Sequence, residues 1–342
     1  MRPDATSPAR AVMDSRPHLA QTHARMKALS ARPILVTALN PAVDAEWRVG
    51  PIHWDEKNTV HSESRWAGGK GVNVARWLAR LGGRPRLLIA LGGATGAEME
   101  AQLQAQQLAL NVVRLAQATR VNLMVTPPRG PQLRFNPPGP RLSRTEWAEV
   151  VRQTRREQAQ CGCQIFSGAL PRAARPAMYR DLVRLGHEAG VRTLLDCDGP
   201  ALVAGLTARP FLVKPNEHEL AQWHGRPLRT TAAVLRAALA MSEQTRGWVL
   251  VSRAAHGALL VNAGEGFTVS AAAPAGKVLN TVGAGDALVA AVARQWQLGT
   301  APEAWLRWGV AAGTAAAQTP AGRVASLAAV RRLAARIRVR RG

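Results

Sequence analysis

The stretch Asn280-Thr281-Val282-Gly283-Ala284-Gly285-Asp286 stands directly before an apolar run that predicts a helix through about residue 298. Its glycines allow a tight turn with outward N–H groups, and the helix start adds unpaired N–H groups and the positive end of its dipole. Such a turn suits an anion, above all a transferring phosphoryl group. Asp286 would repel that anion unless it accepts a proton from an attacking hydroxyl. The alternative is an ordinary turn in which Asp286 caps the helix.

Outward from this turn, short apolar runs rich in β-formers alternate with amphipathic helical runs. The predicted strands lie at residues 34–39, 86–91, 164–166, 193–196, 211–213, 248–251 and 258–261, and the predicted helices at 71–81, 178–189, 217–224, 231–245, 285–298, 302–318 and 327–337. This alternation predicts an α/β fold with a doubly wound, mostly parallel sheet and helices on both faces. Ligands of such sheets bind beyond the C-terminal ends of the strands, where the glycine motifs also fall.

Two segments, about 45–66 and 119–136, break this rhythm and are typical of hairpin-forming strands. Together they predict a small β lid over the site. Arg120 begins the second segment, and its guanidinium fork suits a phosphate, although the chain has many other arginines. Ser167 closes a predicted strand of the main sheet, where it forms either part of a pocket floor or only a turn.

Composition limits the compartment and the partners. Residues 1–30 lack the apolar run of a secretory signal and are predicted to be a disordered extension. No window approaches the ~18 apolar residues of a membrane span, so no membrane partner is expected. The three cysteines are too few for a disulfide framework, which favours the cytoplasm.

The formal net charge of +23 raises the question of nucleic-acid binding. The excess is nearly all arginine and is spread along the chain, apart from a basic tail at residues 331–341. One tyrosine and four phenylalanines also offer few stacking surfaces to bases. No specific nucleic-acid partner is therefore expected, and a weakly active polyanion-binding protein stays as an alternative.

Two motifs before the first predicted helix are typical of a sugar site. Asp44, beyond the first strand, is able to accept two hydrogen bonds from vicinal hydroxyls, with an Asx turn as the alternative. In Gly68-Gly69-Lys70-Gly71-Val72-Asn73, the glycines allow close approach of a ligand, Lys70 adds positive charge, and the Asn73 amide is available to hydroxyls. The alternative for this run is a flexible turn and a helix start.

Later motifs are typical of a nucleotide site. Lys214-Pro215-Asn216-Glu217-His218-Glu219 ends a short strand. Its lysine is suited to nucleotide phosphates, and Asn216 with Glu219 is suited to Mg²⁺, directly or through water. Ser252 and Gly257 lie in a strand–turn–strand element that would touch the nucleotide of a phosphotransferase, and that otherwise is only a hairpin.

Six motifs in order along residues 34–327 resemble the PfkB/ribokinase family of sugar kinases, most closely its phosphofructokinase branch. They are Leu39-Asn40-Pro41 with Asp44, Gly68-Gly69-Lys70-Gly71 with Asn73, Thr119-Arg120 with Asn122, Ser167-Gly168 with Leu170-Pro171, Lys214-Pro215-Asn216 with Glu219-Leu220, and Thr281-Val282-Gly283-Ala284-Gly285-Asp286. The resemblance implies a ribokinase-like kinase domain over residues 31–342.

The resemblance also implies a role for each site residue. Asp286 would be the base, with the N–H groups of Gly283, Ala284 and Gly285 as the anion hole. The other expected groups are Asp44, Gly68, Gly69 and Asn73 at the sugar, Arg120, Lys70 and Ser167 at the phosphate already on the sugar, Lys214, Asn216, Ser252, Gly257 and Thr281 at ATP, and Glu219 with Asn216 near Mg²⁺.

The implied activity is ATP- and Mg²⁺-dependent phosphorylation of a ketohexose phosphate by a homodimer joined through its lid strands. The substrate would be fructose 1-phosphate or fructose 6-phosphate, because residues 201–206 resemble 1-phosphofructokinases and residues 133–140 a 6-phosphofructokinase. A kinase of an unphosphorylated sugar or nucleoside is the alternative within the family. Two departures bear on activity: Ala254 replaces a glycine of the nucleotide hairpin, and Asp198 adds a carboxylate near the site.

Overall fold

The computed structural model describes residues 31–342, so the predicted extension at residues 1–30 lies outside the described residues. The strands are β1 (Ile34–Ala38), β2 (Ala42–Val49), β3 (Val60–Gly68), β4 (Pro85–Gly92), β5 (Ala109–Leu115), β6 (Arg120–Thr126), β7 (Leu133–Phe135), β8 (Cys163–Ser167), β9 (Arg192–Asp196), β10 (Leu212–Val213), β11 (Trp248–Ser252), β12 (Ala258–Asn262), β13 (Phe267–Ala271) and β14 (Val339–Arg341). The helices are α1 (Lys70–Arg80), α2 (Gly93–Ala105), α3 (Arg144–Gln158), α4 (Ala177–Glu188), α5 (Gly199–Leu206), α6 (Glu217–His224), α7 (Thr231–Thr245), α8 (Ala284–Gln297), α9 (Pro302–Ala317) and α10 (Leu327–Arg336).

The large sheet has ten strands in the order β14-β13-β12-β11-β10-β9-β8-β1-β4-β5. The pairs from β11 through β1 to β5 are parallel, and β12, β13 and β14 add antiparallel pairs at one edge. The strand order reverses at β1, which lies between β8 and β4. The carboxyl ends of the strands beside this reversal form the crevice in which ligands of doubly wound sheets bind.

Both faces of the sheet are buried, which explains why its strands are almost continuously apolar. In β1, Ile34 and Val36 pack into one hydrophobic cluster with residues of α1, α8, α9 and α10. Leu35 points to the opposite face and packs into a second cluster with residues of α3, α4, α5 and α7. The doubly wound α/β prediction is thus confirmed.

The off-pattern segments form a separate four-stranded sheet in the order β3-β2-β6-β7. Strand β2 pairs antiparallel with β3 and parallel with β6, from Ala42 opposite Gly68 and Arg120 onward. The last two residues of β3 are buried, whereas its first six are exposed. The small sheet is therefore anchored at the carboxyl end of β1 and extends away from the main body.

Several elements were missing from the sequence-based prediction. Helices α2 and α3 were not predicted, because α2 begins with Gly93 and α3 is mostly polar and charged, so neither has a long apolar stripe. The arginine-rich tail was expected only as a basic segment, yet Val339–Arg341 forms β14 and pairs with β13. Among residues 31–342, no helix combines the length and the apolarity that crossing a membrane requires.

Candidate active site

Helix α8 begins at the glycine turn of residues 280–286. Its N-cap is Gly283, whose φ of 83° is a left-handed conformation that glycine adopts without strain. Ala284, Gly285 and Asp286 form the first turn, where N–H groups have no carbonyl partner within a helix. No side chain caps this helix. The structure thus does not support the capping alternative for Asp286.

The Asp286 carboxylate is buried, with 5% of the residue exposed. Asn73 Nδ2 donates a hydrogen bond to Asp286 Oδ2 at 2.8 Å. Burial, together with the nearby Asp196 carboxylate, raises the pKa of Asp286 to about 6, although Asn73, Lys70 and Lys214 act in the opposite direction. A carboxylate that titrates near neutrality is well matched to accepting a proton from a substrate hydroxyl.

A second buried carboxylate, Asp196, ends strand β9 beside this base. Its Oδ1 lies 3.0 Å from Lys214 Nζ and 3.6 Å from Lys70 Nζ, and its Oδ2 accepts a hydrogen bond from Ser167 Oγ at 3.2 Å. Burial opposes the ionisation of Asp196, but the two ammonium groups outweigh it and hold the pKa of Asp196 below its ordinary value. Asp196 is therefore ionised at neutral pH.

Lys214 also approaches the start of α8. A Cβ atom added to Gly285 would lie 3.5 Å from Lys214 Nζ, so the glycine leaves room for the ammonium group beside the helix N-terminus. The two positive features, the helix dipole and the lysine, act at the same place. An anionic group that enters here meets both.

Asn216 and Glu219 form a capping box at the start of α6. Glu219 Oε2 accepts from the Asn216 N–H and Asn216 Oδ1 accepts from the Glu219 N–H, each at 2.8 Å, while Glu219 Oε1 lies 3.7 Å from Lys70 Nζ. No three His, Cys, Asp or Glu side chains within residues 31–342 are grouped so that they could hold a metal ion. The described residues thus form no cluster of acidic, histidine or cysteine ligands for a directly bound magnesium ion.

A cavity of about 40 Å³ lies beside Gly283, and its walls also include Asp44 and Asn73, the residue that donates to Asp286. Asn122 Nδ2 donates to Asp44 Oδ1 at 2.8 Å, and Gly68 packs so closely on the carboxylate that a Cβ atom there would clash. Burial raises the pKa of Asp44, although Asn122 opposes the shift. The cavity joins, through shared walls at Trp66 and Arg323, a cleft of about 850 Å³ beneath the lid strands.

Arg120 does not line this cavity. Its Nη1 donates to the Pro137 carbonyl at 2.8 Å and its Nη2 to the Asn40 carbonyl at 3.0 Å, which fastens the loop after β7 to the end of β1. Its Nε is buried and has no hydrogen-bond partner among the described residues. One N–H of the guanidinium group therefore lacks an acceptor.

A larger cleft of about 930 Å³ also reaches the start of α8. Its polar walls include four residues expected at ATP, namely Asn216, Ser252, Gly257 and Thr281. Apolar walls face them, built in part by Val278, Leu288 and Val310. Ala284 and Gly285 line the cleft where it meets α8. The helix start is thus shared by the small cavity and the large cleft.

The structure brings most of the expected site residues around the start of α8, but it distributes them differently. Gly69 is the N-cap of α1, with φ 95°, and orients the helix that carries Asn73. Lys70 and Ser167 contact Asp196 rather than sharing a pocket with Arg120. Asp198 is exposed at the N-cap of α5. Sequence reasoning missed Asp196, although a lone carboxylate at the end of an apolar strand was the available signal.

Comparisons with known proteins agree with this geometry. The profile of the pfkB family carbohydrate kinases matches residues 41–328. The chain is 33% identical to a 1-phosphofructokinase of Haemophilus influenzae over 75% of this chain and 82% of the relative. It is 32% identical to a D-tagatose-1-phosphate kinase of Bacillus licheniformis over 82% of this chain and 91% of that protein.

Solved structures show the same fold. Phosphofructokinase-2 of Escherichia coli in complex with potassium superposes with a TM-score of 0.84 and 30% identity, over 89% of this chain and 99% of that one. The same enzyme has also been solved in a tetrameric inhibited form. Arabidopsis thaliana ribokinase has a TM-score of 0.72 at 21% identity, over 89% of this chain and 99% of that one, and shares the fold.

A doubly wound sheet binds its ligands beyond the carboxyl ends of its strands, and a buried aspartate beside a helix N-terminus there is suited to phosphoryl transfer. The chain belongs to the pfkB family of carbohydrate kinases. It is a phosphotransferase with an alcohol group as acceptor, and membership of a kinase family implies ATP as the donor.

Proposed function

We propose that this protein transfers the γ-phosphoryl group of ATP to a hydroxyl group of a ketohexose phosphate, with Asp286 as the base. The observation that carries the proposal is the place of Asp286. It is buried at the start of α8, its neighbour Gly283 lines the cavity of Asp44, its neighbours Ala284 and Gly285 line the cleft of Asn216 and Ser252, and its pKa is raised to about 6.

The chemistry follows from that position. The acceptor hydroxyl gives its proton to Asp286, its oxygen forms a bond to the γ-phosphorus, and the bond from that phosphorus to the β-bridging oxygen breaks to release ADP. Negative charge that develops on the phosphoryl oxygens faces the N–H groups of Gly283, Ala284 and Gly285 and the ammonium of Lys214. Phosphoryl transfer depends chiefly on such positioning and charge stabilisation.

For the acceptor, we favour a ketohexose 1-phosphate, with fructose 1-phosphate as the first candidate and fructose 1,6-bisphosphate as its product. One of the two relatives described above is named a 1-phosphofructokinase, and the other is named a D-tagatose-1-phosphate kinase. The second name specifies a ketohexose 1-phosphate as the substrate. Fructose 6-phosphate is the second candidate, because phosphofructokinase-2 of Escherichia coli, which this chain resembles, has been solved in complex with it. Asp44, Gly68, Gly69 and Asn73 would hold the sugar, and the unsatisfied Nε–H of Arg120 supports a role at its phosphate.

We further propose that Mg²⁺ enters as the magnesium complex of ATP, with Asn216 and Glu219 meeting it through water. The expected assembly is a homodimer through the lid strands, since β3 has one free edge and a largely exposed first half. The free thiols of Cys161, Cys163 and Cys197 are all buried and agree with action in a reducing cytoplasm.

The test is ADP release by the purified full-length protein with Mg-ATP and, in parallel, fructose 1-phosphate, fructose 6-phosphate, tagatose 6-phosphate or unphosphorylated fructose. One phosphorylated sugar should give turnover, and Asp286→Asn should lower kcat by about 10²- to 10⁴-fold because the base is lost. Turnover with fructose alone would favour the unphosphorylated-sugar alternative.

Folding of the variant is checked by its melting temperature. The pKa of Asp286 is raised above its unfolded value of 3.8, so its contribution to stability is fully present below pH 3.8 and is lost as the pH rises through about 6. Asp286→Asn imitates the protonated form and should not lower the melting temperature at pH 7. Full activity of this variant would overturn the proposed base.

A further inference from the structure

The ammonium group of Lys70 lies in a strongly acidic position. It is 3.6 Å from Asp196 Oδ1 at the end of β9 and 3.7 Å from Glu219 Oε1 in the first turn of α6. Two further carboxylates, those of Asp286 and Asp198, also act electrostatically on it. Lys70 is itself the first residue of α1, where the helix dipole disfavours a positive charge. Its position is therefore explained by the carboxylates and not by its own helix.

Carboxylate oxygens from separate elements that converge on one point are the usual ligands of a hard divalent cation. Here the point between Asp196 and Glu219 is taken by an ammonium group. A magnesium ion binds its oxygen ligands at about 2.0–2.1 Å. A magnesium ion between these carboxylates would therefore occupy the position of Lys70 Nζ, so only one of the two can be there. The same cluster contains Lys214, whose Nζ lies 3.0 Å from Asp196 Oδ1 and partly neutralises its charge.

We propose that Lys70 is a built-in cation that takes the place of a metal ion between Asp196 and Glu219. The protein without nucleotide then has no tight divalent-cation site at this point, and the metal ion arrives only with the nucleotide. Lys70 supplies locally a charge that metal-dependent sites obtain from a bound ion. The proposal rests on the proposed function in one respect only: phosphoryl transfer from ATP is the reason why the protein needs a metal ion.

The experiment measures Mn²⁺ binding to the nucleotide-free, full-length protein by electron paramagnetic resonance of the free ion, with no turnover involved. Removing the ammonium group takes a cation away from Glu219 and one of two cations away from Asp196, so Lys70→Met should bind one Mn²⁺ about tenfold or more tightly than the wild type. Lys70→Gln, a neutral polar variant, should do the same and serves if Lys70→Met does not fold. Circular dichroism establishes that each variant is folded.

Two controls locate the new site. Lys57→Met removes an exposed lysine of the loop between β2 and β3 and should bind Mn²⁺ as the wild type does. Lys70→Met combined with Glu219→Gln should lose the gained affinity. If neither neutral variant gains Mn²⁺ affinity, or if the wild type already binds as tightly, the proposal is wrong. Because no acceptor or ATP is present, this result is independent of the Asp286→Asn assay.

Discussion

Asp286 shows how the environment of one residue sets its chemistry. Burial and the Asp196 carboxylate raise the pKa of Asp286, and the hydrogen bond from Asn73 works against them. Asn73 thus positions the base and also favours its ionised form. A residue that was expected only to hold sugar hydroxyls contacts the base directly.

This contact predicts a pH effect. The acidic limb of kcat/KM for the wild type should have an apparent pKa of about 6, because the base must be ionised. Asn73→Ala removes a donor that stabilises the carboxylate, so the limb should move to higher pH. The measurement is the pH dependence of kcat/KM from pH 5 to pH 8 on the active acceptor.

Asn122→Ala is the matched control for that shift. It removes the same kind of bond, at the same 2.8 Å, from Asp44, a carboxylate that is not expected to take the proton. Asn122→Ala should raise the KM for the acceptor and should not shift the acidic limb of the kcat/KM profile, which reflects the ionisation of Asp286. An unmoved limb in Asn73→Ala would mean that the amide does not act on the base.

At the scale of elements, the turn between β11 and β12 carries local strain. Ala254 begins a short 3₁₀ turn over Ala254–His256 and has a φ of 45°, in the region that favours glycine. It also lines the large cleft expected to hold ATP. The alanine at this position therefore carries backbone strain that a glycine would not.

Ala254→Gly should therefore stabilise the protein, by about 0.5–1 kcal/mol once the greater freedom of glycine in the unfolded chain is subtracted. Chemical unfolding monitored by tryptophan fluorescence measures the change. Ala255→Gly in the same turn is the control and should destabilise, since Ala255 has no positive φ to relieve. Equal effects of the two variants would contradict the assignment of strain to Ala254.

At the scale of the whole molecule, the lid hairpin is the least covered part of the described fold. Trp54 is 79% exposed in the loop between β2 and β3, and Val60 at the start of β3 is 39% exposed. The edge of β3 that does not face β2 is free to pair with another strand. A second copy of the chain would cover these groups.

The chain should accordingly have twice its own mass in light scattering. The double variant Trp54→Ala and Val60→Glu should shift the equilibrium toward the monomer, because it removes apolar contacts and introduces a charge that burial disfavours. Leu298→Glu, which changes an exposed apolar residue at the far end of α8, should leave the dimer intact. A wild-type monomer, or a double variant that remains fully dimeric, would exclude the lid interface.

The sequence by itself determined the class of fold and indicated where the candidate site lies. The alternation of strands and helices and the glycine turn before Asp286 depend on local backbone and side-chain preferences, which neighbouring residues express without the rest of the chain. For the same reason the off-pattern segments were recognisable as strands of a second sheet.

Only the tertiary structure decided which side chains meet. Lys70, Asp196 and Glu219 lie on α1, β9 and α6, and they converge because parallel strands end at one edge of the sheet. Arg120 likewise donates two hydrogen bonds to carbonyl groups that are distant in the sequence. Charge pairing between remote segments leaves no periodic trace in the sequence, since it depends on burial and distance and not on spacing along the chain.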